Sequence, residues 1–158
     1  MNKIIFALIG IFLIGWFSNS VYSNEFLEQP SIFTSNELIS PFDRISTNQI
    51  LISESSILIR IDNAILAEYA DTNSMDPVLD NGATGIEIIP ESKTSIKVGD
   101  IVSFETDSNN NLIVHRVIFI GEDETGWYCV TKGDNSRFTD PGKLRFNKIR
   151  YLLIGVLY

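Results

Sequence analysis

The sequence predicts a mainly β fold: a compact β domain beginning near Ile50, carried behind an N-terminal hydrophobic helix. Three observations predict it. Short runs rich in Ile, Val, Leu and Phe recur after Ile50, each closed by Asn, Asp, Gly or Pro, as strands alternate with turns in all-β domains. No long amphipathic helical period follows residue 24. One nearly unbroken apolar run, Ile4 to Phe17, stands at the N-terminus.

That run follows a positive start, Asn2-Lys3, and precedes polar Ser18, Asn19 and Ser20. Two readings of residues 1–23 stay open. As a cleaved leader, the run has the length of a signal-peptide core, and Val21-Tyr-Ser23 supplies the cleavage positions. As a membrane anchor it extends through Val21 and Tyr22, with Trp16 and Tyr22 at the outer interface. Either reading brings the chain to a membrane, and Lys3 favours an N-inside orientation with the remainder outside the cytoplasm. Residues 24–49 read as a linker or lead-in, with Pro30, Pro41 and scattered Ser, Thr and Asn.

Strands are then expected in order. Ile57–Ile61 and Ala64–Ala70 are split by the turn signal Asp62-Asn63. Gly85–Pro90 alternates before its proline, and Val98–Phe104 is entered through a Gly-Asp turn. Asn109-Asn-Asn111 is expected as a hairpin turn leading into Leu112–Ile120. A polar turn at Glu122–Gly126 precedes Trp127–Thr131, a Gly-, Asn-, Asp- and Pro-rich loop covers Gly133–Phe146, and Ile149–Tyr158 is the last strand.

The composition bounds the function. The chain has 158 residues, enough for one domain with its own core. Hydrophobic residues at 44% against 20% charged argue against bulk disorder. A net charge of −8 disfavours a nucleic-acid binder and polybasic docking on anionic lipid. A single cysteine, Cys129, excludes an intramolecular disulfide and a cysteine-rich zinc site, and reads as a small buried hydrophobe. With one histidine a His-rich zinc site cannot be built, so no metal and no organic cofactor are expected.

The chemistry concentrates in three places. Ser74 lies in the turn-like Asn73-Ser-Met-Asp-Pro77, His115 in the apolar strand, and Asp134 in Thr131-Lys-Gly-Asp-Asn135 with Asp140 close behind. A turn serine, a strand histidine and loop aspartates are the parts of a nucleophile, base and orienter system. Because His115 is the sole histidine, any Ser-His chemistry within one chain must use it. Singly, each residue has a plain structural reading: a turn serine, a satisfied core histidine, aspartates folding their loop, and in Thr72 a surface hydroxyl. Their joint order and spacing tip the balance toward catalysis. Lys97 and Lys132 read as solvated charges, with Lys132 a distant second choice of base.

Together these motifs resemble the type I signal peptidases, in particular the archaeal and endoplasmic-reticulum branch. Ser74-Met-Asp-Pro77 is similar to the nucleophile box, Val98-Gly-Asp-Ile-Val-Ser-Phe104 to the second box, Val114-His-Arg-Val117 to the base box, and Lys132-Gly-Asp-Asn135 with Asp140 to the acidic box. The resemblance runs from roughly Tyr69 to Tyr158. Bacterial members carry a Lys-Arg pair where this chain has His115-Arg116. A free lysine near pKa 10.4 must be strongly depressed to act as a base, whereas a free imidazole near 6.5 needs little tuning.

The resemblance implies roles. Ser74 attacks the scissile carbonyl, His115 takes and returns the proton, and Asp140 orients the imidazole. Asp134 supports the loop or the site, and Thr72 helps the oxyanion hole with the Ser74 N–H. Which aspartate lies nearer His115 stays open. The implied activity is serine endopeptidase removal of signal peptides from exported preproteins on the outer face of a membrane. Small residues are implied at the first and third positions before the cut. The partners are the preprotein and, through the N-terminal segment, lipid. Three departures stand out: Asn73 replaces a glycine, Asp80–Gly85 lacks a Gly-Asp pair, and Asn135-Ser136 replaces a double asparagine. Asparagine tolerates left-handed backbone better than most residues. Two other classes remain: an inactive homologue that binds preproteins or scaffolds a processing complex, and an exported β-domain binding protein.

Overall fold

The computed structural model describes residues 38–106 and 109–158, with backbone alone at 109–111. The expected N-terminal hydrophobic helix, residues 1–23, and most of the lead-in lie outside the described residues. No helix among the described residues is long and apolar enough to cross a membrane.

The described chain is mainly β. Eight strands follow in order: β1 (Ile50–Ile52), β2 (Ile57–Ile59), β3 (Ile65–Glu68), β4 (Thr84–Ile88), β5 (Ile101–Thr106), β6 (Asn109–Asp123), β7 (Gly126–Lys132) and β8 (Ile149–Leu157). β1 and β2 pair as a separate two-stranded sheet, and the others form one antiparallel sheet in the order β3-β4-β8-β5-β6-β7. Short 3-10 turns at Thr47–Gln49, Lys93–Ser95 and Phe146–Lys148 are the helical elements.

β5 lies at the centre of this order, and four successive residues of it, Ile101 to Phe104, are buried. Successive strand side chains point to opposite faces, so both faces of the sheet are covered here. One cluster gathers Val102, Phe104, Val117, Cys129, Ile149 and Leu152. The other gathers Ile101 with Met75, Leu79 and Leu153. Each fully buried aliphatic side chain of this kind contributes roughly 1.5–3 kcal/mol. The second cluster anchors the turn that carries Ser74, because Met75 is its immediate neighbour.

Two expectations are corrected. Asn109–Asn111 is not a turn: it opens β6, with Asn109 opposite Thr106 across a register shift. Asparagine is a turn former locally, but here the antiparallel partner supplies the ladder that the backbone needs. The lead-in also ends earlier than expected, because residues 38–158 form one compact unit. The Phe42 N–H donates to the buried Asp100 carboxylate at 3.0 Å, and Arg44 donates to the same carboxylate. Arg116 donates to the Ile39 carbonyl at 3.2 Å. Polar contacts, rather than an apolar pattern, bind this segment, so hydrophobic periodicity did not reveal it.

Candidate active site

Ser74 sits in the irregular stretch between β3 and β4. Asn73 ahead of it has φ 57°, the left-handed conformation that asparagine adopts at small cost. The N–H groups of Val78 and Leu79 donate to the Met75 carbonyl at 2.9 and 3.0 Å and close the turn behind it. Met75 is buried, with 4% of its surface exposed, so the turn is pinned from below. It is held from above as well. The Asn135 N–H donates to the Ser74 carbonyl at 3.0 Å, and the Asn135 side-chain amide donates to the Asn73 carbonyl at 2.9 Å.

His115 lies in β6 opposite Val102 of β5, with Phe104 edge-on to its ring at 6.4 Å. Its Nδ1 is 2.7 Å from Asp140 Oδ2. Asp140 is fixed in turn by β7: its N–H donates to the Thr131 carbonyl at 2.8 Å, and the Thr131 hydroxyl donates to Oδ2 at 2.7 Å. Partial burial pushes the Asp140 carboxyl up, but the hydrogen bonds from His115 and Thr131 outweigh it and leave the group below its ordinary range. An ionised carboxylate only accepts hydrogen bonds, so Nδ1 carries the proton and Nε2 of the neutral ring is an acceptor.

Nε2 lies beside Gly133. A Cβ at Gly133 would stand 3.0 Å from His115 Nε2 and 2.5 Å from the Ser74 carbonyl oxygen. Ser74 and His115 line one cavity of about 290 Å³, walled by Tyr69, Met75, Leu79 and Val114 among others. The Ser74 hydroxyl is 3.2 Å from the Thr72 hydroxyl and, among the described residues, does not bond to His115. Nothing among the described residues accepts from the Ser74 N–H.

The two aspartates therefore part company. Asp140 takes His115, while Asp134 takes Arg116 through paired bonds of 2.8 and 2.6 Å. Arg116 also donates to the Gly99 carbonyl at 2.8 Å, tying the 133–135 loop to β6 and to the start of β5. Thr72 meets Ser74 only through their hydroxyls. Lys132 is not among the residues lining the Ser74–His115 cavity. Cys129 is fully buried and its thiol is pushed up to about 12 by that burial, which suits a packed hydrophobe and not a nucleophile.

Sequence reasoning missed Thr131, Arg116, Gly133, Tyr69 and Glu87. The first three lie inside motifs already singled out, and their neighbours drew the attention. Tyr69 and Glu87 lie in runs that read only as strand. No group of three or more His, Cys, Asp or Glu able to hold a metal occurs among the described residues. None of the family models, curated proteins or solved structures compared with this chain matches it.

Proposed function

We propose that the chain is a membrane-associated serine endopeptidase of the signal-peptidase type, cutting signal peptides from exported preproteins. Ser74 is the nucleophile, His115 the general base and Asp140 its orienter. The observation that carries this reading is a convergence across the fold. The His115–Asp140 bond of 2.7 Å engages Nδ1, and His115 lines one cavity with Ser74.

In the proposed reaction the Ser74 hydroxyl turns from Thr72 toward Nε2, a rotation about one bond. Hydrogen bonds of this kind are often long before substrate binds. Oγ attacks the scissile carbonyl as Nε2 takes its proton. The Ser74 N–H and the Thr72 hydroxyl receive the developing oxyanion. The imidazolium, stabilised by Asp140, then protonates the leaving amine, and water repeats the sequence to release the acyl group. The largely apolar cavity suits a small side chain beside the cut. The exposed apolar hairpin of β1 and β2, with Ile52 77% and Ile57 67% exposed, is of the kind a lipid surface covers. Confinement to the surface that holds the substrate raises effective concentration without new contacts.

The test is cleavage of a purified preprotein in detergent by the full chain and by Ser74→Ala, with the cut mapped by mass spectrometry. Cleavage after a small residue by wild type alone is expected. Equal cleavage by both would remove Ser74 from the role of nucleophile. The second reading, an inactive homologue that binds preproteins, draws on the Ser74 hydroxyl facing Thr72. Binding of several preproteins with no cleavage by folded wild type would favour it.

A further inference from the structure

Beside the Ser74–His115 cavity lies a buried carboxylate whose partners are two neutral hydroxyls. Glu87 of β4 is only 1% exposed. Its Oε1 accepts from the Ser103 hydroxyl at 2.7 Å and from the Tyr69 hydroxyl at 3.1 Å. Among the described residues no lysine, arginine or histidine pairs with it. Burying a carboxylate in this way is costly. An aliphatic residue, like Ile86 and Ile88 on either side, would fill the space without that cost. What the carboxylate does that an aliphatic side chain cannot is hold the Tyr69 hydroxyl.

Tyr69 is fixed at its base, its flank and its tip. Across β3 and β4, Ala67 pairs with Gly85 and Ile65 with Glu87. Successive side chains alternate along a strand, so Tyr69, two beyond Ala67, falls on the face that carries Gly85 and Glu87. There it lies over Gly85, where any added Cβ would collide with its hydroxyl and ring. It packs against the cluster of Met75, Leu79, Ile101 and Leu153. Burial, then the nearby Glu87 charge, pushes its phenol far above the ordinary value, so the hydroxyl stays protonated and donates.

Held so, the ring is a partition. Tyr69 lines the Ser74–His115 cavity and also a second one, of about 480 Å³, lined by Glu87, Ser103 and Tyr151 among others. Ala70, Leu112 and Val114 border both as well, and Tyr69 is the one aromatic side chain of the four. With the ring in place the cavity at Ser74 ends at Tyr69. Without it the two cavities run together.

We propose that Tyr69 sets the size limit on the substrate side chain beside the cut, and that Glu87 is the residue that positions it. The inference rests on the peptidase reading and names the wall that enforces a small residue there. A side chain longer than that of alanine meets the ring. The ring cannot swing aside without breaking its bond to a buried carboxylate, and the Ser103 hydroxyl keeps that carboxylate in place.

The test is equilibrium binding to the full-length Ser74→Ala chain in detergent. The probes are acetyl-Ala-Val-Ala-amide and acetyl-Ala-Val-Leu-amide. Leucine has more apolar surface to bury, so an open cavity favours it. With Tyr69 intact the alanine peptide should bind about tenfold more tightly, because a closed pocket rejects the extra volume. Tyr69→Ala should reverse the order. Tyr69→Phe and Glu87→Met each remove the tether at nearly constant volume, and each should shrink the alanine preference. Glu87→Gln, which keeps an acceptor for Tyr69 and Ser103, should retain it. Equal binding, tighter binding of the leucine peptide, or binding of neither, with Tyr69 intact, overturns the proposal, and that result needs no further variant to fold. An alanine preference that survives in folded Tyr69→Ala, or stands unchanged in folded Tyr69→Phe or Glu87→Met, also overturns it. Failure of the peptidase reading is read separately: the preference and its reversal would persist while wild type cuts no preprotein.

Discussion

Gly133 is where the candidate nucleophile and base come nearest to sharing a wall. Its backbone runs between the Ser74 carbonyl and His115 Nε2, leaving no room for a side chain. Gly133→Ala should therefore push the Ser74 turn and the imidazole apart. A displacement near 1 Å costs about a hundredfold, so kcat/KM on a cleaved preprotein should fall by about that factor while the circular-dichroism spectrum stays that of a β protein. Unchanged kcat/KM would show that the loop yields without disturbing the site. Asp140 supplies a second residue-scale expectation. Its folded pKa lies below its ordinary value near 3.8, so its contribution is full above that value and is lost as pH falls through the folded one. In urea titrations, wild type should exceed Asp140→Asn in stability at about pH 5, and the gap should shrink in stronger acid. An equal gap throughout would separate Asp140 from acid unfolding.

At the scale of elements, the site is an assembly of pieces remote in sequence. The β3–β4 connection brings Ser74, β6 brings His115, and the loop after β7 brings Gly133, Asn135 and Asp140. Arg116 joins the last two, since it leaves β6 beside His115 and holds Asp134 by two bonds. Both side chains are nearly fully buried, at 5% and 1% exposed. Removing one partner of such a pair strands the other charge. Arg116→Met should cost about 3–5 kcal/mol by urea denaturation. Arg116→Met with Asp134→Asn should recover part of it, because no ionised carboxylate is then left without its cation. A single-variant cost below about 1 kcal/mol would place the pair with surface ion pairs.

For the molecule as a whole, the compact unit includes the segment ahead of β1. Asp100, just ahead of β5, has its side chain fully buried, and three donors converge on it: Arg44, the Phe42 N–H and the Lys97 N–H. Two of the three come from that leading segment. A chain of residues 38–158 should be more stable than one of residues 50–158 by about 3–5 kcal/mol, the cost of leaving a buried charge without its cation. Equal stability would mean that residues 38–49 lie on the surface without contributing to it.

The sequence by itself determined the β class, the positions of most strands, the turn that carries Ser74 and the strand that carries the single histidine. Alternating apolar runs, turn residues and a single histidine are local signals, readable without knowing what packs against what. It also determined that Asn73 could hold a left-handed backbone, since tolerance of positive φ is a property of the residue. Tertiary structure alone decided that Asp140 and not Asp134 meets His115, for both aspartates lie in the same loop and only the path of β7 separates them. It turned Asn109–Asn111 from turn into strand by supplying a partner ladder. It drew the lead-in onto Asp100, and it buried Glu87 beside Tyr69 and Ser103. Each of these depends on contacts between residues far apart in the chain, and a local pattern holds no record of which distant charge or hydroxyl will arrive.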